Sequence, residues 1–152
     1  MSAGECEEGR RHYSEAFRVT GLWTEAQIKT VSLHTSYRYC PPVDGTPLEE
    51  ARWIHAQLES YSILGLSPDR CHELAVKADA LLAAGYEDGP DNYLRSGLQS
   101  AGVCLGKAER CEEARAAYES VTRLTLGPSA TPEAFDRVLK SSLQRFRGCP
   151  IP

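Results

Sequence analysis

The sequence predicts an all-α protein: about seven antiparallel helices stacked as hairpins, with disulfides closing the pairs. Three observations carry this expectation. Ala and Leu (17 and 16 residues) outnumber Val and Ile (7 and 4) by three to one, which favours helix because unbranched side chains lose least rotamer freedom there. Ser/Thr-Pro-acid starts and glycine stops punctuate the chain at helical intervals. The six cysteines fall at the starts and ends of the segments so marked.

The elements follow in order. A first helix is expected over 5–20, ended by Gly21, and a second over 24–39, opened by Thr24-Glu25-Ala26-Gln27. Within the second, Val31, Leu33, Thr35, Tyr37 and Tyr39 alternate with polar residues in the period of a half-buried strand. Helix is preferred because a single strand would have no partner. Thr46-Pro47-Leu48-Glu49 opens a third helix over 47–64, with Ala51, Ile54, Leu58 and Tyr61 on one face. Ser67-Pro68-Asp69 opens a fourth over 68–84, carrying Leu74, Ala78, Leu81 and Leu82. Gly89-Pro90-Asp91 is a weaker start for 90–105. A sixth helix, 109–126, presents Ala114, Ala117, Tyr118, Val121 and Leu124, and Gly127-Pro128 stops it. Thr131-Pro132-Glu133 opens the last, 131–147, with Phe135, Val138, Leu139, Leu143 and Phe146 inward. Short connections make consecutive helices antiparallel neighbours.

Composition bounds what this array can be. At 152 residues the chain has the length of one domain, and no run approaches the ~18 apolar residues of a membrane span. A net charge of -4 offers no bulk attraction to nucleic acid or anionic lipid. Leu, Val, Ile and Phe together make up about a fifth of the chain, near the level at which burial becomes thin. Arg exceeds Lys 13 to 4, a bias associated with high-GC bacterial genomes. The N-terminus has neither a basic start nor an apolar stretch, so an exported protein would be met here as its mature form.

The cysteines bear on location. There is no Cys-x-x-Cys, and the nearest approach to ligand spacing, Cys104 with Cys111 beside Cys71-His72, lacks four convergent groups. No metal and no cofactor is therefore expected. Cys6, Cys71 and Cys111 sit in first turns, while Cys40, Cys104 and Cys149 sit at or beyond the end of the next helix. In an antiparallel pair those positions lie side by side, within reach of a disulfide. The expected bonds are Cys6–Cys40, Cys71–Cys104 and Cys111–Cys149, each closing one hairpin: about 5–40, 68–105 and 109–149, with 47–64 as an extra helix. Loops of this length stabilise by roughly 3.8 kcal/mol each in the chain-entropy model. The alternative is six reduced cysteines in a cytosolic protein, packed as small hydrophobes.

Two hairpin starts repeat. Cys6-Glu7-Glu8-Gly9-Arg10-Arg11-His12-Tyr13 aligns with Cys111-Glu112-Glu113-Ala114-Arg115-Ala116-Ala117-Tyr118, and Cys71-His72-Glu73-Leu74 is a fainter copy. From Leu94 to Pro128 the chain resembles a tetratricopeptide repeat. Gly102 stands at that family's small helix-packing position, Glu112-Glu113-Ala114 and then Tyr118 match its second helix, and Pro128 lies near its terminating Pro. Leu98 replaces the usual Trp, and Gly106 to Arg110 lengthens the inter-helix turn by about three residues. The resemblance implies a helical-hairpin array that binds proteins or peptides, and no chemistry.

No catalytic motif is present. His12, His34, His55 and His72 lack His-x-x-x-His spacing, and there is no phosphate loop or Gly-x-Ser-x-Gly. Arg137, Lys140 and Arg147, with Arg145 nearby, share a face of the last helix, and Glu87, Asp88 and Asp91 crowd a turn. Each cluster reads either as a solvated surface or as complementarity to a partner. Trp23, Tyr37, Tyr39 and Trp53 are candidate partner anchors, although core or hairpin packing is the use the sequence favours for them. The expected function is a non-catalytic scaffold subunit of an exported, periplasmic or extracellular assembly, with another protein or peptide as partner. Alternatives are a cytosolic adaptor with free thiols, or a carrier of a small apolar ligand. The carrier would resemble insect odorant-binding proteins, without their close Cys-x3-Cys spacing.

Overall fold

A computed structural model describes residues 3–37, 40–42, 45–146 and 149, with the side chains of all of these except 3, 4, 30, 31, 33 and 34. The described residues form helices and no strand: α1 Ala3–Val19, α2 Glu25–Ser36, α3 Pro47–Glu59, α4 Tyr61–Leu64, α5 Pro68–Ala83, α6 Tyr93–Lys107, α7 Cys111–Leu126 and α8 Pro132–Leu143. None is long and apolar enough to cross a membrane. The alternating stretch after Thr30 is thus helical through Ser36.

The starts read from sequence are built as caps. Thr46, Ser67 and Thr131 each accept the N–H three residues on, with Pro at the first helical position. At α2 the capping is reciprocal. Gln27 donates its backbone N–H to the Thr24 hydroxyl at 3.3 Å, and its side-chain oxygen accepts the Thr24 N–H at 2.9 Å.

Several boundaries differ from expectation. The 47–64 helix breaks at buried Ser60, whose backbone leaves helical geometry at φ -97, ψ 14, so its last turn is the separate α4. This redirects Tyr61, whose hydroxyl accepts a bond from Lys107 Nζ at 3.1 Å. The fifth expected helix begins at Tyr93 rather than Pro90, because Asp88 caps it from a distance: its two carboxylate oxygens accept the N–H groups of Leu94 (2.7 Å) and Arg95 (2.9 Å). The turn between α6 and α7 is only Ala108–Arg110, since α6 continues through Gly106 and Lys107. At the C-terminal end, α8 stops at Leu143, and Phe146 and Cys149 fold back beyond it.

All three cysteine pairs are joined as spacing predicted, with Cα–Cα separations of 5.7, 6.5 and 5.2 Å for Cys6–Cys40, Cys71–Cys104 and Cys111–Cys149. Each links the start of one helix to the end of the next, so α1/α2, α5/α6 and α7/α8 run antiparallel.

Helix α6 is the centre, packed by α3, α5 and α7. It can serve all three because its small residues let neighbours approach. At Gly97 a Cβ would lie 3.4 Å from the His55 Cα, and at Gly102 and Gly106 it would lie 2.6 and 2.8 Å from the rings of Tyr118 and Phe146. The main core joins Ile54, Leu58, Leu74, Leu94, Leu98 and Leu105 across α3, α5 and α6. A second cluster, Tyr118, Leu139, Leu143, Phe146 and Cys149, fixes α8 and the fold-back segment onto α7. Helix α1 packs chiefly on α2, aided by Arg10, which donates to the Ser36 hydroxyl at 2.9 Å and the Pro41 carbonyl at 3.0 Å. Gln57 of α3 donates to the Tyr37 carbonyl at 2.8 Å and ties this hairpin to the rest.

Candidate functional site

An open groove of about 970 Å³ lies where the C-terminal ends of α5 and α7 meet the start of α8. Its shape follows from local sequence. Gly127 turns the chain out of α7 at φ 76, a region open to glycine without a Cβ penalty. Pro128 cannot continue the helix, and Thr131-Pro132 starts the next one only after a four-residue turn. Asp79, Leu82 and Ala83 of α5 form one wall, Ser120, Arg123 and Leu124 of α7 another, and Pro132, Phe135 and Asp136 of α8 a third. The apolar side chains Leu82, Leu124 and Phe135 are only partly buried.

The polar groups at the groove are unevenly engaged. Arg123 is held by Glu119 at 3.4 Å, and its guanidinium lies 6.0 Å from the Phe135 ring centre. Asp136 pairs with Lys140 at 3.5 Å. Asp79 makes no hydrogen bond or ion pair among the described residues. The groove is lined by apolar side chains together with the Ser120 hydroxyl and the Asp79 and Asp136 carboxylates, and no histidine or cysteine is among its lining residues.

The residues singled out from sequence do not gather here. Trp23 is 41% exposed and meets Phe17 edge-on at 5.8 Å, at the tip of the α1/α2 hairpin where Val19 and Leu22 are also exposed. Trp53 is half-buried, with Arg70 and Lys77 at 5.7 and 5.6 Å from its ring centre. Tyr37 is a core residue rather than a surface anchor, fully enclosed. Burial and the Glu49 carboxylate at its hydroxyl push its ionisation upward. Arg137 and Lys140 are exposed on α8, and Arg145 lies over the Tyr118 ring. Tyr39 and Arg147 lie outside the described residues. Of the acidic turn, Asp88 is a helix cap.

A second polar cluster joins the starts of α5 and α7. Arg110 bonds both Asp69 and Glu113, and their carboxylates raise its ionisation further. His72 lies 3.9 Å from Glu113. The cluster fastens the helices beside the Cys71–Cys104 bond. Among the described residues no group of three or more His, Cys, Asp or Glu side chains is arranged to hold a metal ion.

Sequence reasoning located the turn and helix start that frame the groove and the apolar faces of Leu82, Leu124 and Phe135. It gave no sign that they converge, because the convergence depends on α5 lying beside α7. Compared with protein-family models, with curated proteins and with solved structures, the chain matches none.

Proposed function

We propose that this protein is a non-catalytic, disulfide-stapled module of tetratricopeptide-like helical hairpins that binds another protein or peptide, as a scaffold subunit of an exported bacterial assembly. The observation that carries the reading is the open groove between α5, α7 and α8, whose partly buried Leu82, Leu124 and Phe135 offer apolar surface to a docking chain. Two features support it further. The Tyr118 ring packs against Gly102, joining two of the positions that carry the resemblance in α6 and α7. Pairing of all six cysteines suits an oxidising compartment.

The cytosolic adaptor with free thiols is disfavoured by that same pairing. The apolar-ligand carrier is disfavoured by the groove's openness, since a carrier encloses its ligand.

Cross-linking in the native source, with wild type beside Ala130→Lys, tests the proposal. Ala130 lines the groove on the turn before α8, so the lysine obstructs the groove without entering the core. A defined partner cross-linked by wild type and lost in the variant is expected. Equal recovery by both proteins, or an extractable apolar small molecule in place of a partner, would overturn it.

A further inference from the structure

The groove combines apolar side chains with hydrogen-bond acceptors, and some of those acceptors have no donor among the described residues. Helix α7 ends with the Gly127 N–H bonded to the Arg123 carbonyl at 2.9 Å. The next three carbonyls, of Leu124, Thr125 and Leu126, receive no hydrogen bond from the described residues, and of these three residues Leu124 lines the groove. The cause is in the sequence: Pro128 has no N–H to return to Leu124, and the Ala130 N–H goes to Gly127 instead, at 3.4 Å. These carbonyls form the negative end of the α7 dipole. Asp79 stands on the facing wall, unpaired among the described residues, whereas Asp136 of α8 is already engaged by Lys140 at 3.5 Å. The groove's cation, Arg123, is already engaged by Glu119 and the Phe135 ring.

From this imbalance we infer that the groove takes an extended or helical segment of a partner protein carrying an Arg or Lys flanked by large apolar side chains. The cation's N–H groups meet Asp79 and the open end of α7, and the apolar neighbours cover Leu82, Leu124 and Phe135. A cationic donor suits this edge because hydrogen bonds between charged groups are roughly twice as strong as neutral ones. An acidic segment would face the unpaired Asp79 carboxylate and the negative end of a helix. The inference rests on the docking function proposed above and specifies the chemistry of its partner.

The test is selection of a phage-displayed library of random twelve-residue peptides on the full, oxidised chain. The selected peptides are then measured by fluorescence anisotropy against wild type, Asp79→Asn and Ala130→Lys. Both substitutions are at positions outside the main core, and circular dichroism checks that each variant is folded. The expected result is enrichment of Arg or Lys beside Leu, Ile, Val or Phe, binding weakened at least five-fold by Asp79→Asn, and binding abolished by Ala130→Lys. Neutral or acidic peptides that are lost in Ala130→Lys but indifferent to Asp79→Asn would overturn the cationic partner and leave the docking function standing. Failure to enrich any peptide sensitive to Ala130→Lys would overturn both. Concentration-dependent self-association of wild type in sedimentation, abolished by Ala130→Lys, would make a second copy the occupant and also overturn the inference.

Discussion

Glycines of α1 and α6 look alike in sequence and differ in what surrounds them. A Cβ at Gly102 would enter the Tyr118 ring at 2.6 Å, and the enclosed aromatic, wedged beside Phe146, has little room to yield. Gly102→Ala is therefore expected to destabilise the fold by about 1–3 kcal/mol, the range for overpacking a filled core. Gly9, in α1, has open space where its Cβ would be, and Gly9→Ala should stabilise by about 0.5–1 kcal/mol by lowering the entropy of the unfolded chain. Urea denaturation of the two variants against wild type checks the opposite signs. Tyr37 shows the limit of reading single residues. The sequence left both an anchor and a core role open to its ring, and the structure encloses it, with Gln57 of α3 donating to its carbonyl.

Helices here are held by their ends, and the ends can be tested one by one. Thr131→Ala removes the hydroxyl that accepts the Ala134 N–H at 3.2 Å and should cost about 1 kcal/mol. Asp88→Ala leaves two N–H groups at the start of α6 without their carboxylate, and α6 is the central helix; the expected loss is about 1–2 kcal/mol, at the upper end for a cap. Chemical denaturation measures both. The first cap was legible because Thr, Pro and acid are adjacent in sequence. The second was not, because Asp88 acts across a turn in which Asn92 takes a left-handed conformation at φ 53, which no local pattern announces.

The link between α1 and α2 carries a pH dependence. Arg18 donates to both carboxylate oxygens of Glu25, at 2.8 and 3.0 Å, and this bond holds the Glu25 carboxyl below its ordinary value. A carboxyl with a lowered folded pKa contributes its stability above the unfolded value of about 4.3 and loses it as pH falls through the lowered one. Amide exchange at the α1/α2 turn should accordingly rise as pH drops below about 4 after correction for intrinsic rates. Glu25→Gln should flatten that added rise.

At the scale of the whole molecule, the disulfides offset a modest core. Denatured but unreduced protein should take up no iodoacetamide, and reduced protein should take up six equivalents, one per cysteine. Intact mass reads the difference directly. Each loop contributes roughly 3.8 kcal/mol in the chain-entropy model, so reduction should lower the midpoint of denaturation steeply. The bonds are not equivalent in what they hold. Helix α1 packs chiefly on α2, and the Cys6–Cys40 bond closes that hairpin. Replacing both cysteines by Ala should speed amide exchange throughout α1 while leaving α6, packed on three sides, protected.

The sequence by itself determined the helical class, most helix starts and the pairing of all six cysteines. Each of these is set by neighbours in the chain or by a spacing near one hairpin length. The tertiary structure decided what such spacing leaves open: that α6 lies at the centre, that Tyr37 is enclosed, and that the ends of α5 and α7 leave a groove at the start of α8. Caps and hairpin closures depend on residues close in sequence or at equivalent ends of adjacent helices. The groove depends on which helices pack side by side, and that is settled by the small residues of α6 and the rings they admit.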